Sequence, residues 1–288
     1  MDALYKIFPE EREEFPWDER ALIEFKTNII ENGLKCKMDD IFLLGFLRAR
    51  KFNLEKSLQL LKNYYFTRIN YPPFYKNLFP SKLESILPLN IIRILPKPDQ
   101  HGSIVTLIEL ERCDPSKVDV LDVYRLGFLL SDLMLNLHRT QVNGVVVIMN
   151  CRGTKIQHLL KYTPRFISTL IVNMHKDITA LHKFIHPKYL PIAYGGELPD
   201  FDPPDLIEIL KQNEDFFRQN EEYVKKYEEE VERRLPEGTI EYIDQDNLNY
   251  EDKVIKNEVV EEFDCILQDT ENYAKHYKEN ATQQVTHF

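Results

Sequence analysis

Asn143-Gly-Val-Val-Val-Ile-Met-Asn-Cys-Arg-Gly153 decides how this chain folds. Five apolar residues, Val145 to Met149, stand without alternation between Asn-Gly and Cys-Arg-Gly. A run rich in β-branched residues and closed by turn formers predicts a strand buried on both faces, although a short buried helix has the same local pattern. Context selects the strand. A second β-rich stretch, Ser103–Leu110, lies upstream, and the segment between the two reads as helix. Strand, helix, strand in that order implies a right-handed βαβ unit with parallel strands. Asn143–Asn150 is therefore expected as a central strand of an α/β domain.

Upstream of this unit, Ile91–Leu95 reads as a strand turned through Pro96–Gly102 into Ser103–Leu110, a hairpin with a long loop. The crossover helix starts at Asp119 or Asp122 and runs to about His138. Its stripe of Val123, Leu126, Leu130, Leu133, Met134 and Leu137 suits packing on a sheet. Residues 17–69 predict three helices. Asp18 caps the first, with Leu22, Ile23, Phe25 (or the stem of Lys26) and Ile29–Ile30 inward and Asn32-Gly33 as its stop. Asp39 or Asp40 opens the second, and Asn53 caps the third, where Leu54, Leu58, Leu61, Tyr65 and Ile69 recur at helical spacing until Tyr71-Pro-Pro. Lys76–Asn90 reads as a short helical connection.

Downstream, His158–Tyr162 and Asp177–Phe184 read as helix, Phe166–Val172 as strand or helix, and His186–Gly196 as an extended exit. Asp202–Gln219 resumes helix and continues through Val224 and Val231 until Pro236. Ile255–Leu267 gives one more amphipathic helix.

The net charge of −10 is unevenly placed. From residue 211 onward there are 21 acidic against 10 basic residues, a net of −11, which leaves +1 on the preceding 210. That body shows no long basic stripe with interleaved aromatics, so nucleic acid is not expected as a partner. No run of 18 uncharged apolar residues spans a bilayer, and no secretory leader is evident at the start. Cys36, Cys113, Cys151 and Cys265 form no CxxC pair and read as reduced thiols of a cytoplasmic protein.

Catalytic motifs are missing. No glycine-rich phosphate loop follows a strand and no GxSxG occurs, so a nucleotide cofactor and an α/β-hydrolase nucleophile have no support. His182 and His186 have two-ligand spacing, but Pro187 stops the helix, and capping or solvent-facing roles are favoured over metal. Non-enzymatic function with no cofactor is expected. Leu129, Leu130, Leu133 and Met134 on the crossover helix read either as plain core or as one wall of an apolar pocket, which periodicity does not distinguish.

Phe42-Leu-Leu-Gly-Phe-Leu-Arg-Ala-Arg-Lys-Phe-Asn-Leu-Glu-Lys-Ser57 resembles the N-terminal helical motif of CRAL-TRIO lipid-transfer proteins. Leu61-Lys-Asn-Tyr-Tyr65, Thr140-Gln-Val-Asn-Gly144 and Leu190-Pro-Ile-Ala-Tyr-Gly-Gly196 complete the resemblance, in the same order. It covers about residues 18–210, and Gly196–Asp202 is most similar to the insect-type alpha-tocopherol-transfer-like branch. The resemblance implies an α/β fold: a helical domain at 17–75, then a mixed, partly parallel sheet with packed helices at 76–210. An acidic helical tail, 211–288, lies outside it. It implies binding and transfer of a hydrophobic small molecule or lipid, tocopherol- or retinoid-like, by a cytoplasmic monomer in transient peripheral contact with phosphoinositide-bearing membranes.

By the same resemblance Ser131 lies near the ligand's polar end and Arg50 either meets phosphoinositide or is a solvated or ion-paired arginine ending its helix, while Leu129, Leu133 and Met134 are wall candidates by their pattern. One departure matters. After Thr163-Pro164 the family's lid helix has no counterpart, so the domain is expected to be incomplete and its cavity to lack one wall. A ligand-free scaffold that has lost its cargo is the competing class.

Overall fold

The computed structural model describes residues 15–114, 116–152, 181–199 and 206–234. Three helices form the N-terminal unit: α1 (Glu19–Glu31), α2 (Asp40–Ala49) and α3 (Leu54–Asn70). Asp18 starts α1 by accepting from the backbone N–H of Arg20 at 2.9 Å and of Ala21 at 3.1 Å. Leu22, Phe25 and Ile29 are buried, but Ile23 and Ile30, expected inward, are exposed. They sit about 100° round the helix from Leu22 and Ile29, and α1 packs on one side only, against α2 and α3. Asn53 caps α3 by accepting from Lys56 N–H at 2.9 Å. Every residue from Phe42 to Leu47 is buried, because α2 lies between neighbours on several sides.

Pro72 ends α3 as expected, yet it also opens a new single turn, α4 (Pro72–Tyr75), where its missing N–H costs nothing. Two 3₁₀ turns, Pro80–Lys82 and Leu87–Leu89, carry the chain to the sheet in place of the expected helix.

The sheet contains β1 (Ile92–Ile94), β2 (Ile104–Glu109) and β3 (Val145–Asn150) in that order. β1 and β2 are the expected antiparallel hairpin, with Ile94 opposite Thr106. β2 and β3 are parallel, with Ile104, Thr106 and Ile108 beside Val145, Val147 and Met149. The βαβ reading therefore holds. Two details of it do not: β2 is the central strand among the described residues, and β3 is not buried on both faces. Its residues alternate, with Val146 and Ile148 half-buried and Val145, Val147 and Met149 exposed.

The crossover is split. α5 (Val120–Met134) is capped by Asp119, which accepts from Leu121 N–H at 3.0 Å. It stops four residues short of His138 because Leu137, fully buried, takes an extended conformation and turns into the core. α6 (His138–Asn143) then leads into β3.

α7 (Leu206–Gln212) and α8 (Glu214–Arg234) replace the single helix expected from Asp202, parted at Asn213, whose side-chain N–H donates to Ile209 O at 2.7 Å. Although α8 lies in the acidic stretch, it is no loose appendage. Phe217 joins the core formed by α5 and the sheet, while Tyr227 joins the core of the N-terminal unit. Cys36, Cys113 and Cys151 form no disulfide among the described residues, and burial pushes the Cys36 thiol up to about 12. The readings of His158–Tyr162, Phe166–Val172, most of Asp177–Phe184, Ile255–Leu267 and the missing lid lie outside the described residues.

A candidate hydrophobic-ligand site on the sheet

Pleating sends alternate residues of a strand to opposite faces, so the register divides the sheet into two surfaces. One surface carries Leu95, Val105, Leu107, Val146 and Ile148, and it is covered by Ile185, Leu190 and Tyr194. The other carries Ile92, Ile94, Ile104, Thr106 and Ile108, and α5 packs over it with Leu126, Leu129, Leu130 and Leu133. Val145, Val147 and Met149 belong to this second surface by register, but they are 38%, 54% and 41% exposed. The cover over β1 and β2 thus stops short of β3 and leaves an apolar strip.

The first surface explains the Leu-Pro-Ile-Ala-Tyr-Gly-Gly motif. A Cβ on Gly196 would lie 2.0 Å from Leu190 O, and Gly195 has φ +70°. This tight loop aims Tyr194 at the end of β2, where its hydroxyl donates to Glu109 at 3.0 Å and accepts from Asn150 at 3.3 Å. Glu109 also pairs with Arg93 at 2.8 Å and Arg112 at 2.6 Å. Burial alone raises the Glu109 carboxyl, but the Arg112 hydrogen bond, the Arg93 charge and Tyr194 together hold it below its ordinary value. His186 accepts from Lys188 N–H at 3.3 Å, a capping role, and His182 lies 3.3 Å from Tyr194 O.

The helical motif is likewise structural. Gly45 lets α2 approach the start of the α5–α6 link, where a Cβ would lie 2.7 Å from Leu135. Arg48 donates to Gln141 at 2.6 Å, and Gln141 donates to Ile41 O at 2.7 Å. These bonds tie α2 to α6, and hence the N-terminal unit to the strand that follows.

Leu129, Leu133 and Met134 are buried in the core beneath α5. Ser131 is exposed on the same helix, and its hydroxyl donates to Gly127 O at 2.9 Å. A Cβ on Gly127 would meet nothing within 4 Å, so space lies open beside that flank of the helix. Arg50, far from this helix in sequence, is the exposed residue that ends α2. Sequence reasoning missed Thr106, a hydroxyl among the isoleucines of the second surface, and Glu109, a carboxylate inside an apolar strand. The polar residue in each apolar run was the available signal.

A cleft of about 380 Å³ lies elsewhere, between α3, α4 and α8, lined among others by Arg68, Tyr75, Asp132, Phe217 and Lys225. Its lining mixes both charges, and Arg68 and Asp132 there neutralise each other. No helix among the described residues is long and apolar enough to cross a membrane, and no group of metal-ligating side chains occurs among them.

A helical unit bolted to a small mixed sheet, with one apolar strip uncovered beside a crossover helix, defines an α/β protein of incomplete two-layer type. Residues 89–176 match the family model described as CRAL/TRIO domain. The chain is 32% identical over 195 residues to a human protein named alpha-tocopherol transfer protein-like, covering 65% of this chain and 56% of that protein. The mouse protein of the same name is 33% identical over 160 residues, 54% of this chain and 46% of its own length. Clavesin-1 of Xenopus laevis is 25% identical over 210 residues, 58% of this chain and 63% of that protein. The chain thus spans about half the length of the alpha-tocopherol transfer protein-like relatives it matches.

Proposed function

We propose that this protein binds a small hydrophobic molecule or lipid and carries it between membranes without catalysing a reaction. The observation that carries this reading is the strip of Val145, Val147 and Met149, continuous by register with Ile104, Thr106 and Ile108 of the neighbouring strand. Seating an alkyl chain there gains about 0.8 kcal/mol per buried CH₂. Leu129, Leu133 and Met134 form the wall behind the ligand, and Ser131 stands at its polar end. The resemblance to proteins named for alpha-tocopherol transfer supports a tocopherol- or retinoid-like cargo. The carrier works as a cytoplasmic monomer that touches membranes transiently. Arg50 contributes to phosphoinositide contact, and one exposed cation makes that contact weak and salt-sensitive, since screening acts over about 8 Å at physiological salt.

The test is extraction of the purified full chain with organic solvent, with mass spectrometry of what co-purifies, alongside displacement of a fluorescent lipid. A defined lipid and saturable displacement are expected. If neither is obtained, a ligand-free interaction protein is the reading that remains. Liposome flotation checks Arg50: binding that survives both Arg50→Ala and high salt contradicts its role.

A further inference from the structure

We propose that Thr106 is the polar anchor of the ligand site, and that it selects hydrophobic ligands bearing a hydroxyl or carbonyl group over pure hydrocarbons. The inference rests on reading the β3 strip as a ligand wall. Thr106 lies in the middle of the central strand, on the surface shared with Val147, its in-register neighbour on β3. Adjacent strands are about 4.8 Å apart, so a ligand seated on Val147 is one strand spacing from the Thr106 hydroxyl.

The residue is 6% exposed, and its Oγ1 is buried with no hydrogen-bond partner. Around it on the same surface are Ile92, Ile94, Ile104 and Ile108. Valine has the same branched shape as threonine and would fill this position with no orphaned oxygen. A hydroxyl stripped of water and given no partner bears its full desolvation penalty. Such a group is relieved by any ligand atom that donates to it or accepts from it. Oγ1 is closed to water, so the ligand must reach it by entering between α5 and the sheet from the β3 side. That route places an alkyl body along Val145, Val147 and Met149 and its polar end inward.

Ser131 stands on the exposed flank of α5, where its hydroxyl donates to Gly127 O and can still accept from a second polar group of the ligand, whereas Thr106 holds the group that enters the covered surface. The chemistry that fits is an alcohol, a phenol or a carbonyl on an otherwise apolar molecule. A bare hydrocarbon leaves the oxygen orphaned, and a charged headgroup has no counter-ion on this surface among the described residues.

The experiment uses the full chain loaded with Nile red as an apolar reporter, displaced by 1-dodecanol or by dodecane. Wild type, Thr106→Val and Thr106→Ser are compared, with melting curves for each. Wild type is expected to prefer dodecanol to dodecane by about ten-fold, the worth of one buried hydrogen bond. Thr106→Val should lose that preference while keeping its affinity for dodecane, and it should melt no lower than wild type. Thr106→Ser should keep the preference. An equal preference in wild type and Thr106→Val, or none in wild type, overturns the anchor and leaves the carrier reading intact. A Thr106→Val protein that fails to fold also overturns it, since the hydroxyl would then be structurally satisfied. If neither competitor displaces Nile red from wild type, the carrier reading itself falls and the anchor with it.

Discussion

Arg68 of α3 and Asp132 of α5 form an ion pair at 2.5 Å, with the two side chains only 12% and 8% exposed. The Arg68 guanidinium also lies 3.4 Å from the centre of the Tyr64 ring, and the Tyr64 hydroxyl donates to Asp132 at 3.2 Å. This cluster clamps the N-terminal unit to the crossover helix. Removing one partner of a buried pair leaves the other charged and unpaired. Arg68→Ala or Asp132→Ala is expected to cost about 3–5 kcal/mol in urea denaturation. The double change Arg68→Met, Asp132→Leu should restore most of that loss, because desolvation of both charges disappears together.

Acid should weaken the sheet through Glu109. Its carboxyl is held below the ordinary value near 4.5 in the fold, so its stabilisation is fully present above that value. It is lost as pH falls below 4.5 through the folded value. Glu109→Gln keeps the shape and removes this titration. Melting temperature against pH should therefore fall less steeply below pH 4.5 in Glu109→Gln than in wild type, and parallel curves would show that the network carries no such linkage.

Two glycines should respond in opposite directions. At Gly196 a methyl group meets the backbone oxygen of Leu190 at 2.0 Å, which a flexible side chain cannot relieve. Gly196→Ala is expected to cost at least about 2 kcal/mol and to displace Tyr194 from Glu109. Gly127 lies within α5 with nothing near its missing Cβ. Gly127→Ala should stabilise by about 0.5–1 kcal/mol through helix propensity alone. Chemical denaturation of both variants checks the pair.

Tyr227 on α8 stacks on Tyr65 of α3, with ring centres 4.7 Å apart and planes inclined by 14°. Both rings are buried. Tyr227→Ala should cost about 3 kcal/mol and accelerate hydrogen exchange in α3 before it affects the sheet. In wild type, Asp39–Asn70 should exchange slowly as one cooperative unit, because its apolar stripes are local and complete.

The βαβ unit was legible in the chain because its strands, turns and caps are local features. A β-branched run between turn formers has few other conformations open to it, and Asp18, Asn53 and Asp119 cap helices using backbone atoms two or three residues away. The order of motifs likewise pointed to the family before any geometry was known. What Val145–Met149 did not reveal is which of its faces is covered. That depends on how far α5 reaches across the sheet, a property of packing between distant segments. The same holds for Ile23 and Ile30, whose spacing permits burial but whose neighbours cover only one side of α1. Residues 42–57 carried the family resemblance, yet only the fold shows that Gly45 and Arg48 spend it on contacts to Leu135 and Gln141. Thr106 is the sharpest case. Its place in an apolar strand was plain from the sequence, but whether its hydroxyl had a partner was settled only when three strands and a helix closed around it. Local chemistry chooses conformations; long-range packing decides what each side chain meets.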